Sequence, residues 1–177
     1  MVTPLTTTLR WVETYLDELS HGADEISARL GADRITEVSG KSFARLLLPD
    51  TILTIPVEGG AAILKRRNAC PILSEHGKWR REHLGAIRTI YGRTPYFIHL
   101  MPRLEEIYDN SQGISLEEFN SRLLDLVLSM IDRDALTMRM TVDSSRLIRQ
   151  EKRLLIDPDL SILDALFHMG KEVTLAL

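Results

Sequence analysis

The sequence predicts a helix-rich α/β (α+β) fold with a small β-sheet, and three features of the chain predict it. Apolar residues recur every three or four positions over most of its length, as on the buried stripe of a helix. Two short apolar runs, Phe43–Leu48 and Thr51–Val57, flank Pro49-Asp50 and read as a β-hairpin near 43–57. Leu136, Met138, Met140 and Val142 alternate with polar residues, the period of a half-buried strand near 136–142. With 177 residues, 44% hydrophobic and 27% charged, the chain has the composition of a globular protein. It is long enough to bury a core without covalent staples. We expect one domain over 1–177, with a helical N-terminal segment at 1–34.

Leu9, Val12, Leu16 and Leu19 form the first apolar stripe, after a start signal from Pro4 and Thr6–Thr8. His21-Gly22 interrupts this helix, and Ala23–Leu30 resumes it before Gly31, so two helices or one kinked helix are expected. The hairpin follows, with Pro56 near a strand end because it has no N–H for a ladder. Residues 58–77 read as a long loop. Trp79, His83, Ile87 and Tyr91 then step by four along a helix closed by Gly92. Thr94-Pro95 opens a second helix through Phe97, Leu100, Leu104, Ile107 and Tyr108, with Pro102 placed to kink or split it. Ser115 and Glu118 have the spacing of a capping box for a third, whose core face is Phe119, Leu123, Leu126, Val127 and Met130. Ser161 and Asp164 start a last helix through Ile162, Leu163, Leu166 and Phe167, ended by Gly170. Glu172–Leu177 reads as a short strand or a docked end. Ser145–Arg153 is polar and basic, a loop or exposed helix.

Charge narrows the function. There are 22 Lys and Arg against 25 Asp and Glu, a net charge of −3. A protein that coats nucleic acid is usually basic, so no nucleic-acid partner is expected. No apolar run approaches the ~20 residues that span a bilayer, so no membrane insertion is expected. The N-terminus lacks the pattern of a signal peptide, which makes the cytoplasm the expected location. The single cysteine, Cys70, cannot form an internal disulfide. It reads as a packing residue beside Pro71, or as a nucleophile if a base stands nearby.

Against this acidic background Lys65–Arg93 is basic. It holds Lys65, Arg66, Arg67, Lys78, Arg80, Arg81, Arg88 and Arg93, against Glu75 and Glu82. Guanidinium forks at a helix start suit phosphate, diphosphate or carboxylate, and the helix dipole adds to them. The plainer alternative is a solvated face with ion pairs to acidic helices. Gly59-Gly60, after a predicted strand, lets the backbone approach a ligand or simply make a turn. His76 and His83 bracket the helix start, with Glu75 one residue earlier, and a histidine there suits proton transfer near neutral pH. Their seven-residue separation is not the i, i+4 pair of a helical zinc site, so no metal is expected. No cofactor is called for. Trp79, Tyr91, Tyr96 and Phe97 are expected to be mostly core aromatics, with one or two as stacking platforms for a sugar or base. Candidate catalytic groups are therefore His76, His83 and Glu75. Candidate ligand-binding groups are Gly59, Gly60, Lys65, Lys78, Trp79, Arg80, Arg81, Tyr91, Arg93 and Tyr96.

Three runs of these residues resemble a known family. They are Ile55-Pro56-Val57-Glu58-Gly59-Gly60, Ser74-Glu75-His76-Gly77-Lys78-Trp79-Arg80-Arg81-Glu82-His83-Leu84, and Tyr91-Gly92-Arg93-Thr94-Pro95-Tyr96-Phe97. In this order they resemble the WbqC-like proteins of bacteria, over roughly residues 43–130 and the C-terminal end. The resemblance implies a cytoplasmic protein of surface-polysaccharide (O-antigen-type) biosynthesis, a transferase moving a glycyl or other small acyl group to an amino sugar. It implies an anionic small-molecule partner such as a nucleotide sugar. It transfers motif membership to Trp79, His83, Tyr91, Pro95 and Phe97, not catalytic roles. The family's usual N-terminal motif has no counterpart in the first forty residues. The alternative is a non-catalytic binding or assembly protein that uses the basic 65–93 surface for an anionic ligand or acidic partner.

Overall fold

Five helices and one hairpin carry the core in a computed structural model that describes residues 9–25, 27–28, 44–65, 70–131 and 160–175. Helix α1 spans Leu9–Ser20. Its buried face centres on Trp11, Val12 and Tyr15, with the Trp11 and Tyr15 rings stacked 5.2 Å apart, while Leu16 and Leu19 are only partly covered. The large aromatics thus displace the predicted leucine stripe toward its edge. The helix stops at His21-Gly22, where Gly22 takes φ 87°. A second helical turn begins at Asp24, whose Oδ1 accepts from the Ser27 amide at 2.9 Å. The N-terminal stretch is therefore two helical pieces with a break.

The hairpin forms as its turn chemistry dictates. Strands β1 (Arg45–Leu48) and β2 (Thr51–Thr54) pair antiparallel, with Leu48 opposite Thr51 across Pro49-Asp50. Leu46 and Leu48 face inward. Beyond β2 the chain remains useful as backbone. Pro56 cannot donate, but its carbonyl accepts from the Ser74 amide at 2.9 Å, and Val57 bridges Leu73. The described parts of the segment expected to be a long loop are thus structured. They contain a 3-10 turn at Gly60–Lys65 and are stitched at Ile72 and Leu73 to both Val57 and Ser115.

Helix α2 (Trp79–Tyr91) buries Trp79, His83, Leu84, Ile87 and Tyr91, the face that the four-residue step marks. It ends at Gly92, which stays right-handed at φ −59°. A Cβ there would lie 2.5 Å from the Arg88 carbonyl oxygen, so the glycine serves a close approach. Helix α3 (Phe97–Asp109) starts two residues after Pro95, which lies outside it; Thr94 Oγ1 instead donates to the Tyr91 carbonyl. Pro102 neither splits nor ends α3. It sits on the exposed side, where the Ile98 carbonyl it leaves unpaired belongs to an exposed residue.

Helix α4 (Leu116–Met130) is capped by Ser115, whose side chain accepts from the Glu118 amide at 3.1 Å. Only this half of the predicted box forms, because Glu118 is drawn instead to Arg122, 2.6 Å away. Phe119, Leu123, Leu126 and Val127 are buried as expected; Met130 is partly so. Helix α5 (Ile162–Met169) is capped by Ser161 and ended by Gly170 at φ 54°. After it, Gly170–Leu175 is a 3-10 turn with Val173 and Thr174 buried, so the tail is docked rather than a strand. One continuous cluster joins Trp11 and Tyr15, the inner face of the hairpin and the buried faces of α2 to α5. The strand predicted at 136–142 and the basic stretch 145–153 fall outside the described residues.

Candidate functional site at the start of helix α2

The backbone bonds after the hairpin lay residues 55–60 beside residues 72–74. The Glu58 amide donates to the Ile72 carbonyl at 2.9 Å, and Gly60 N to the Val57 carbonyl at 3.0 Å. Gly59 and Gly60 both take positive φ, 78° and 68°, a backbone that other residues adopt only under strain. Chain direction then carries Ser74 into Glu75-His76-Gly77-Lys78 and the start of α2. Ser74 is the hub of this junction. Its carbonyl accepts from the Trp79 indole at 2.9 Å, and its hydroxyl accepts from the His76 amide at 3.2 Å.

Trp79 is a buried wall. It lies edge-on to His83 and Phe119 and tilted against Tyr108. Arg80 lies over its other face, with the guanidinium carbon 4.5 Å from the ring centroid. That guanidinium is almost fully engaged. Nε and Nη2 donate to the Ser111 hydroxyl and carbonyl at 2.7 and 3.0 Å, and Nη1 and Nη2 fork onto Glu75 at 3.2 and 2.9 Å. Glu75 also accepts from the Gly113 amide at 3.0 Å. This amide, first, and the guanidinium, second, hold its carboxyl below the usual carboxylate range. Arg80 and Glu75 thus tie the start of α2 to the α3–α4 connection.

His83 belongs to the wall as well. It is 4% exposed, with Nε2 3.2 Å from the Thr54 carbonyl and Nδ1 3.2 Å from the Tyr108 hydroxyl. A carbonyl can only accept, so Nε2 carries the proton and Tyr108 donates to Nδ1. Burial pushes the imidazole down to about 4, against a smaller opposing effect of the Thr54 bond. The ring is neutral at pH 7.

The remaining candidates divide into two groups. His76, Lys78 and Arg81 are exposed around the α2 start and make no ion pair among the described residues. Lys78 and Arg81 are three apart, on one side of the helix. Lys78 occupies the N-cap position without a side-chain cap hydrogen bond, and among the described residues no side chain claims the first-turn amides. Tyr91, Arg93 and Tyr96 lie at the opposite end of α2, roughly 18 Å away along its axis. Tyr91 is fully buried and stacked 4.5 Å from Phe167; burial first, then the Asp164 carboxylate, pushes its phenol up. Tyr96 is half-buried against Gly170, where a Cβ would stand 2.3 Å from its ring. Arg93 is exposed, and Arg88 is taken by Glu105 at 2.6 Å. The Lys65 side chain, with Arg66 and Arg67, lies outside the described residues. No group of His, Cys, Asp and Glu among the described residues has the arrangement of a metal site.

The sequence reading missed Ser111, Gly113, Tyr108 and Thr54, which lie 25 to 38 residues from the groups they engage. The burial of His83 had a visible signal, its place on the same four-step stripe as Trp79, Ile87 and Tyr91.

No curated protein and no solved structure matches the chain. The model of the WbqC-like protein family matches residues 45–157, from the first residue of β1 through the whole α2 junction and beyond α4. That match covers more than half of the sequence, and the chain belongs to the WbqC-like protein family.

Proposed function

We propose that this protein is a transferase of surface-polysaccharide (O-antigen-type) biosynthesis, acting in the cytoplasm, which moves a glycyl or other small acyl group to an amino sugar. The nucleotide diphosphate of the sugar binds at the start of α2. One observation carries this reading: Lys78 and Arg81 project from an uncapped helix start, free of carboxylates among the described residues and flanked by exposed His76. Fixed amides, a dipole and two mobile cations together favour a diphosphate over a monovalent anion. The Gly59–Gly60 turn lies on the segment bonded to Ile72 and Ser74, which lead into this junction. His76 takes a proton from the amine as its nitrogen attacks the acyl carbonyl and the donor's leaving group departs. Arg80, Glu75 and His83 hold the surrounding backbone.

The test is product formation. A nucleotide-linked amino sugar incubated with the protein and activated glycyl or acetyl donors gains one acyl unit in mass. His76→Asn slows that gain without changing affinity for the sugar nucleotide. A second reading, binding or assembly without turnover, is favoured by the engagement of Glu75 and His83 in structural bonds. Tight sugar-nucleotide binding with no acylated product from any donor would decide for it.

A further inference from the structure

A second cluster of charge lies in the cleft between α3 and α4. The cleft has a volume of about 350 Å³ and is lined by Arg103, Glu106, Ile107, Asn110, Arg122, Asp125 and Leu126. Positions 103, 106, 107 and 110 make one face of α3, and 122, 125 and 126 make the facing stripe of α4. The size falls at the low end of small-molecule sites.

The bonding of these charges is unusual for neighbours of opposite sign. Arg122 is ion-paired, its guanidinium donating to Glu118 at 2.6 Å and to the Asn110 carbonyl at 2.8 Å. Among the described residues Arg103 is hydrogen-bonded only to uncharged groups, Ser129 Oγ at 2.9 Å and Met130 Sδ at 3.4 Å. Its guanidinium keeps further N–H donors, since five are available and two are used. Glu106 and Asp125 form no ion pair or side-chain hydrogen bond among the described residues. Two guanidiniums and two carboxylates therefore line a common cleft; Arg122 is paired with Glu118, and Arg103, Glu106 and Asp125 make no ion pair among the described residues. Ile107 and Leu126 give it an apolar component.

We propose that this cleft binds a small zwitterion of the α-amino acid class, its ammonium on Glu106 and Asp125 and its carboxylate on Arg103. Each ligand group meets an opposite charge that has no ion pair among the described residues, and a carboxylate matches the planar guanidinium fork. The apolar lining accommodates a short side chain. The cleft's lining shares no residue with the groups proposed to hold a sugar nucleotide at the α2 start, and the inference stands whether or not that junction holds one.

The test is NMR shift mapping of the whole chain with the common α-amino acids, added one at a time at millimolar concentration. At least one perturbs amides on the facing sides of α3 and α4. N-acetylation or methyl esterification of that amino acid weakens binding tenfold or more, and so does Asp125→Asn or Arg103→Gln. Both side chains are surface groups, so the variants melt near the parent temperature. Absence of any perturbation, perturbation confined to residues 74–81, or acetate or methylamine binding as tightly as the amino acid would each overturn the proposal.

Discussion

His83 illustrates how one residue's surroundings set its chemistry. Histidine in water titrates near 6.5, where it suits proton transfer; buried among Trp79, Tyr108 and the Thr54 carbonyl, this one is brought down to about 4. The folded state then refuses a proton that the unfolded chain accepts. Stability from this group is fully present above about 6.5 and is lost as pH falls toward 4, by on the order of 3 kcal/mol. Replacing the ring by an uncharged amide removes that slope. In His83→Gln, melting temperature at pH 7 falls, and the further decline from pH 6.5 to 4.5 is shallower than in the parent. An equally steep decline in both, followed by circular dichroism, would place the titration elsewhere. The residue's position was legible, because a histidine in step with Trp79, Ile87 and Tyr91 belongs to the face they bury. Its partners were not, because Tyr108 and Thr54 are 25 and 29 residues away and no local pattern links them.

At the scale of elements, what could be read from sequence was what local chemistry decides. Pro49-Asp50 between apolar runs gives the hairpin, and Ser115 and Ser161 give helix starts, because each signal acts within a few residues. Where a distant partner competes, local rules lose. Glu118 abandons the second half of its capping box for Arg122, and Pro102 rides through α3 because its side of the helix is exposed. The cap that does form has a measurable value. Ser115→Ala leaves the Glu118 amide without its acceptor and costs about 1 kcal/mol in chemical denaturation. A larger cost follows at the end of α5, where Gly170 combines φ 54° with a Tyr96 ring packed onto its Cα. Gly170→Ala must move that ring as well as strain the backbone, so it lowers stability by more than the Ser115 change. Equal effects would mean that Tyr96 moves aside freely.

For the whole molecule, the basic segment that dominates the sequence is divided by the fold. Arg80 and Arg88 are consumed by Glu75 and Glu105. Arg93 is carried to the far end of α2, and at the helix start Lys78 and Arg81 make no ion pair among the described residues. A charge count along the chain cannot make this division, because Ser111, which shares Arg80 with Glu75, and Glu105, which claims Arg88, come from other parts of the fold. The family match spans the junction where Lys78 and Arg81 stand. The most direct measurement is calorimetric titration of a uridine-diphosphate amino sugar into the parent and the Lys78→Ala/Arg81→Ala double variant at low and physiological salt. The account predicts at least tenfold weaker binding in the double variant, with an unchanged melting temperature and a smaller salt dependence. Equal affinity in the two proteins at both salt concentrations would contradict it.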